Sequence, residues 1–181
     1  MENNSRKVIL YIAASLDGYI AKPNDDLSFL SLAEQEGDYY GYGQFMNTVD
    51  TMVLGRKTYD WVVGQVGSFP DEGKTVYVIT QTPREPIGNI CFYTGSPQTL
   101  ITTLKNQPGQ NIFINGGAQL VNSLLQHRLI EEFIISVIPV LVGSGTRLFA
   151  RGQPEQSLQL LACRHYATGL VQLHYRLTGK N

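Results

Sequence analysis

The sequence predicts an α/β fold, an open and mainly parallel sheet with helices on its faces and an antiparallel edge near the C-terminus. Three observations carry this expectation. Apolar runs of strand length recur at residues 8–14, 51–54, 75–80, 89–93 and 111–114, and helical patterns alternate with them. The runs are nearly unbroken by polar residues, as suits strands covered on both faces. In the last third, Val171, Leu173, Tyr175 and Leu177 alternate strictly with Gln172, His174 and Arg176, which marks a strand with one wet face.

Taken in order, VILYIAA (8–14) is the first strand, and SLDGYIAKPNDDLS after it is a loop rich in Gly, Pro, Asn and Asp. Tyr39, Tyr42, Phe45, Met46 and Val49 then recur at helical spacing, predicting an amphipathic helix with aromatics inward, weakened by Gly41 and Gly43. TMVL (51–54) is a buried strand that runs directly into GRKTYDWVV, where Tyr59, Val62 and Val63 again have helical spacing. Strands follow at TVYVIT (75–80) and NICFY (89–93). Ser96 is a good N-cap with Pro97 behind it, opening a helix to about Asn106. After NIFI (111–114), Gly116-Gly117 opens a helix with Leu120, Val121, Leu124, Leu125 and Leu129 on one stripe. His127 and Arg128 sit at its end, where the dipole favours positive charge. Residues 133–139 form a strand, GSGTRLF (143–149) is a turn-rich connection, and residues 157–163 pair with 171–177 across Ala167-Thr168-Gly169 as a hairpin.

A chain of 181 residues with 43% hydrophobic and 16% charged content predicts one domain, residues 1–181, with a sizeable core. Fourteen basic against fifteen acidic residues give a formal charge of -1, which calls for neither nucleic acid nor an anionic membrane and leaves a small molecule as the expected partner. Cys91 and Cys163 form no CxxC pair and stand in no metal-ligand spacing with His127, His165 or His174, so both are expected to be buried free thiols and no metal is expected. MENNSRK and the short apolar run after it lack the pattern of a secretory signal. The longest apolar stretch, residues 133–142, is interrupted by Pro139 and falls short of the roughly 20 residues of a spanning helix, so a cytoplasmic location is expected.

Two motifs fit a ligand at the carboxyl ends of the strands. Gly55-Arg56-Lys57-Thr58 stands where a strand passes into a helix, the place where open α/β sheets bind ligands. Cations in a first helical turn oppose the macrodipole at about 0.3–1 kcal/mol each, and an anionic ligand would reverse that sign. A solvated charged turn is the plainer alternative. Gly116-Gly117-Ala118 repeats the arrangement, its glycines allowing close approach of a pyrophosphate or simply making a turn. Neither is a P-loop or a GxGxxG fingerprint, and Gly143-Ser144-Gly145 reads as a tight turn between strands.

The order of VILYIAASLDGYIA, TMVLGRKTYDWV, VYVITQTP, IFINGGAQLVNSLL and IEEFIISVIPVLVGSGTRLF resembles the dihydrofolate-reductase superfamily across nearly the whole chain. SLDGYIA and GSGTRLF are most similar to the RibD C-terminal domain, the reductase half of the bifunctional riboflavin-biosynthesis deaminase-reductase, and its stand-alone relatives. The resemblance implies a three-layer fold with a mainly parallel eight-stranded sheet, a C-terminal antiparallel hairpin, and NADPH along the carboxyl edge. It places Ala13 and Ala14 at the nicotinamide, and Ser15 to Ile20, with Gly18, as a mobile loop over it. Arg56 and Lys57 face the 2′-phosphate, Gly55 and Thr58 the pyrophosphate, and Thr80 and Gln81 the adenosine end. Gly116, Gly117, Ala118, Gln119 and Leu120 cradle the pyrophosphate, and the corresponding Gly-Gly bond of dihydrofolate reductases is cis.

Reducing a C=N bond needs hydride from the nicotinamide and a proton at nitrogen, so a carboxylate near the ring is the natural relay. Asp38 is the first candidate by position and Asp17 the second, with an Asp-Gly turn as the alternative for Asp17. Phe45 is expected to line the substrate pocket, or else to be a core aromatic. The implied activity is NADPH-dependent reduction of a planar nitrogen heterocycle, either 5-amino-6-(5-phosphoribosylamino)uracil or a dihydrofolate or pterin. A phosphorylated substrate would need cations, and Lys22 and Arg147 are the ones the sequence offers. The competing expectation is a module that binds NADP(H) without turnover. Relatives of the riboflavin type also imply a homodimer.

Overall fold

The computed structural model describes residues 6–34 and 39–179. Its centre is β1 (Val8–Ser15), flanked in parallel by β6 (Asn111–Gly116) and β7 (Glu132–Ile138). With β3 (Val49–Gly55), β4 (Thr75–Ile79), β5 (Ile90–Tyr93), β9 (Leu158–His165) and β10 (Val171–Leu177) they form one eight-stranded sheet. The strand order is β5-β4-β3-β6-β1-β7-β10-β9. All neighbours are parallel up to β7, and β10 and β9 complete the sheet antiparallel, as the change of period in the sequence requires.

Alternating side chains of β1 divide the core. Val8 and Leu10 meet α3 (Pro97–Lys105) and α4 (Ala118–Gln126) through Leu100, Ile101, Leu104, Leu120, Val121, Leu124 and Leu125. Ile9 and the half-buried Tyr11 face α1 (Tyr42–Met46) and α2 (Arg56–Val66) through Phe45, Met46 and Tyr59. Near-continuous apolar runs are therefore needed in the central strands, since both faces are covered. Ser96 caps α3 by accepting the Thr99 N–H, with Pro97 in the first turn, as read from the sequence.

Four local expectations are corrected. The helix begun at Tyr39 is only the five residues of α1, and Val49 already belongs to β3. Gly41 stands at φ 79° before it, and the Thr48 hydroxyl donates to the Phe45 carbonyl after it, so the helix is stopped at both ends. GSGTRLF is more than a turn: β8 (Thr146–Arg147) pairs antiparallel with β2 (Tyr19–Ala21). The supposedly wet face of β10 is partly closed, because Gln172 is buried and its amide donates to Tyr11 Oη, Ser136 Oγ and the Tyr40 carbonyl. Finally, Cys91 and Cys163 are free thiols, but Cys91 is half-buried and Cys163 exposed, since β9 is the sheet edge. No helix among the described residues is long and apolar enough to cross a membrane.

Leu124 is fully buried between α4 and the sheet. Leu124→Ala is expected to destabilise the fold by about 2–5 kcal/mol, a transfer loss plus an unfilled cavity, measured by urea unfolding.

Candidate functional site

The carboxyl edge of the sheet joins the two glycine turns. Parallel pairing sets Leu54 beside Gly116, so the chain leaves β3 and β6 at neighbouring points. The Gly117 N–H donates to Thr58 Oγ1 at 3.2 Å, linking the turn before α4 to the first turn of α2. A Cβ at Gly116 would lie 3.2 Å from Ile12 Cδ1, and one at Gly117 would lie 3.3 Å from Thr58 Oγ1, so both positions are tight. Gly116 also has φ 113°, a conformation reserved for glycine. The Gly116–Gly117 bond is trans, in contrast to the cis bond of dihydrofolate reductases, and the chain turns out of β6 through the backbone angles of the two glycines instead.

Neither α2 nor α4 has a side-chain cap, whereas α3 has one. Their first-turn N–H groups have no acceptor inside the helix, and the helix dipole makes both starts attractive to an anion. Arg56 Nε donates to Asp60 Oδ2 at 2.6 Å, an i,i+4 pair that gives Arg56 a structural role the sequence reading missed. Lys57 is exposed. The Thr58 hydroxyl accepts from Gly117 and keeps its own proton to donate.

Other expected contacts differ in quality. Ala13 and Ala14 precede Ser15, the last residue of β1, beside Ser136 and Val137 of β7, and Ala14 is buried in the core. Ile20 packs on the α3/α4 core. Leu120 is also a core side chain, so only its backbone can reach a ligand, while Ala118 is half-buried and Gln119 exposed. Thr80 is buried, with its Oγ1 accepting the Thr82 N–H, and Gln81 is exposed beside it.

The loop expected to be a mobile cover is fastened. Asp17 accepts N–H groups from Val142 at 3.0 Å and Gly143 at 2.7 Å, and the Ser15 hydroxyl at 2.6 Å. Tyr19 donates its hydroxyl to the Gly143 carbonyl, and the Arg147 guanidinium lies 4.7 Å from the Tyr19 ring centroid. Leu148 N–H donates to the Gly18 carbonyl, with Gly18 at φ 83°. Gly145 completes the fit: a Cβ there would sit 2.1 Å from the Ala21 carbonyl oxygen. Sequence spacing hid this clasp because its halves lie about 125 residues apart.

Asp17 is built into this clasp as a carboxylate acceptor. The hydrogen bond from Ser15 and the two backbone N–H groups lower its pKa to about 2, so it holds no proton at neutral pH. Its role is the turn alternative, extended to a long-range clasp. Asp38 lies outside the described residues. Phe45 is buried in an aromatic cluster, 4.8 Å from Tyr11 and 5.1 Å from Phe113 between centroids, and also lines a recess on this face of the sheet. No three His, Cys, Asp or Glu side chains among the described residues come together as a metal site.

The RibD C-terminal domain profile matches residues 6–172. The chain belongs to this family. The RibD C-terminal domain is a reductase domain related to the riboflavin-pathway reductases. The chain is 43% identical to YwjB of Bacillus subtilis (strain 168), over 94% of its own length and 97% of that protein. It is 30% identical to YyaP of the same organism, over 99% and 100%. A solved structure of a putative riboflavin biosynthesis protein from Shewanella sp. PV-4 superposes with a TM-score of 0.85 at 29% identity, covering 96% of this chain and 99% of that one. The deaminase/reductase of Thermotoga maritima shares the fold, with a TM-score of 0.72 at 15% identity, and this RibD C-terminal domain spans 57% of its length.

Two tests bear on this edge. Gly116→Ala is expected to cost about 1–3 kcal/mol in unfolding experiments, because φ 113° is strained for alanine. Asp17 has a folded pKa below its unfolded value, so its stabilising contribution is complete above about pH 4 and is lost as pH falls towards 2. Asp17→Asn, which also presents an amide where two N–H groups need an acceptor, should lower stability at pH 7 and flatten the acid limb of a pH-dependent melt.

Proposed function

We propose that this protein is an NADPH-dependent reductase of a planar nitrogen heterocycle, of the riboflavin-pathway or pterin type. One observation carries the cofactor half: two uncapped helix starts meet at the carboxyl edge and are tied by the Thr58–Gly117 hydrogen bond, with the exposed Lys57 beside them. A pyrophosphate would receive N–H groups from both starts and the Thr58 hydroxyl. Lys57, with Arg56 after release from Asp60, would meet the 2′-phosphate. NADPH would supply the hydride, and Ala13 and Ala14 present only small side chains where its ring would lie. Membership of a reductase family and the likeness to the Shewanella protein support the reading.

The second reading, binding of NADP(H) without turnover, draws on one observation. Asp17, one of the two candidate carboxylates, is engaged with Ser15, Val142 and Gly143 in a structural clasp.

Titration with NADPH and NADH, followed by dihydrofolate, a dihydropterin and the deaminated riboflavin precursor, separates the two readings through the absorbance of the reduced nicotinamide. Lys57→Ala should weaken NADPH about tenfold, equivalent to roughly 1.4 kcal/mol, while leaving NADH within twofold. An unchanged NADPH-to-NADH preference in Lys57→Ala and Arg56→Ala would remove the assigned 2′-phosphate role.

A further inference from the structure

The recess that Phe45 lines opens on the α1 face of the sheet. It has a volume of about 330 Å³ and is bounded by Lys7, Tyr11, Phe45, Glu132, Arg164 and His174, with Gly41 and Gln44 at its side. Lys7 precedes β1 and Glu132 begins β7, so the charged mouth of the recess sits at the amino end of the central strands and its inner end reaches Tyr11 and Gln172, whereas the glycine turns lie at the carboxyl end. Seven residues of extended chain from Lys7 to Ala14 amount to about 23 Å.

Among the described residues its charges do not balance. Glu132 is the sole acid among the described residues lining the recess, and it is buried with both oxygens engaged. Lys7 Nζ is 3.0 Å and Arg176 Nη2 3.3 Å from Oε1, while His174 Nε2 is 2.8 Å from Oε2. Burial raises the Glu132 pKa, but the hydrogen bonds from Lys7 and His174 outweigh that effect and hold it ionised. Two neighbouring acids, Glu131 and Asp50, are paired with Lys105 and Arg6. Arg164 projects to the same mouth, with Nη1 3.8 Å from the place a Gly41 Cβ would take, and no described carboxylate pairs with it. Lys7 and Arg164 thus share the lining with one carboxylate that already accepts from Arg176 and contacts His174, beside tilted aromatic rings from Tyr11 and Phe45.

We propose that this recess is a second ligand site, taking a small planar aromatic acid whose carboxylate meets the Arg164 fork and Lys7 while its ring lies against Tyr11 and Phe45. A guanidinium fork matches a carboxylate in two parallel hydrogen bonds, and the low polarity of the aromatic wall strengthens that contact. The volume lies at the lower end of small-molecule sites, which suits one ring with one acidic group. This site stands independently of the cofactor reading.

Benzoate titrated into the full chain, followed by amide and arginine side-chain NMR, tests it. Saturable shifts are expected at Gly41, Gln44, Arg164 and His174, with benzamide, its neutral counterpart, causing none of them. Arg164→Gln, a change at an exposed position, should weaken benzoate at least tenfold and leave NADPH titration unchanged. Lys57→Ala should leave benzoate binding unchanged. The assignment is overturned by a response that does not saturate, by an equal response to benzamide, by indifference to Arg164→Gln, or by inorganic phosphate binding where benzoate does not.

Discussion

The parallel pairing of β3 with β6 is the constraint on which the candidate site depends. It brings Gly55 and Gly116 to one edge although they lie far apart in the chain, and the Thr58–Gly117 hydrogen bond then sets the two helix starts in common. Close approach leaves little room: Gly116 packs on Ile12 and Gly117 on Thr58, so side chains there would push the turns apart. The same pairing carries the fold, since Val53 and Ile114 meet in register within the core. Stability and the relative placement of the two helix starts are therefore linked through the same few backbone contacts.

β1 supplies the second support. It is buried on both faces between β6 and β7, and its carboxyl end passes into the loop that Asp17 fastens to Val142 and Gly143. A carboxylate receiving three hydrogen bonds is favoured in its ionised form, which makes it a strong acceptor. The likeness to dihydrofolate reductases implies a moving cover at this place. Here the β2–β8 pair, the Tyr19–Gly143 hydrogen bond and the Arg147–Tyr19 contact hold the segment as part of the framework.

Much of the fold was legible because local chemistry and burial agree. Apolar runs marked the strands, Ser96-Pro97 marked the start of α3, and the leucine stripe from Leu120 marked α4. Legibility failed where local pattern met a competing contact. The spacing from Tyr39 to Val49 looked helical, but the strand pairing of Val49 with Asn111 and the glycines at 41 and 43 cut the helix to one turn and a little more. Gln172 alternated as if wet, yet Tyr11 and Ser136 take it into a buried polar network. The glycine turns of the candidate site were visible, whereas Asp60, which occupies Arg56, and the charge cluster at Glu132 were not.

The two glycine turns at the carboxyl edge, the mainly parallel order and the family were determined by sequence alone, because strand length, helix stripes and short motifs are properties of contiguous residues. Tertiary structure decided what each charged group does. Asp17 became a clasp, Arg56 an ion-pair partner, and Glu132 the shared partner of Lys7, Arg176 and His174, since a carboxylate's role depends on which donors surround it in space. Those donors come from strands and loops that only the folded sheet sets side by side.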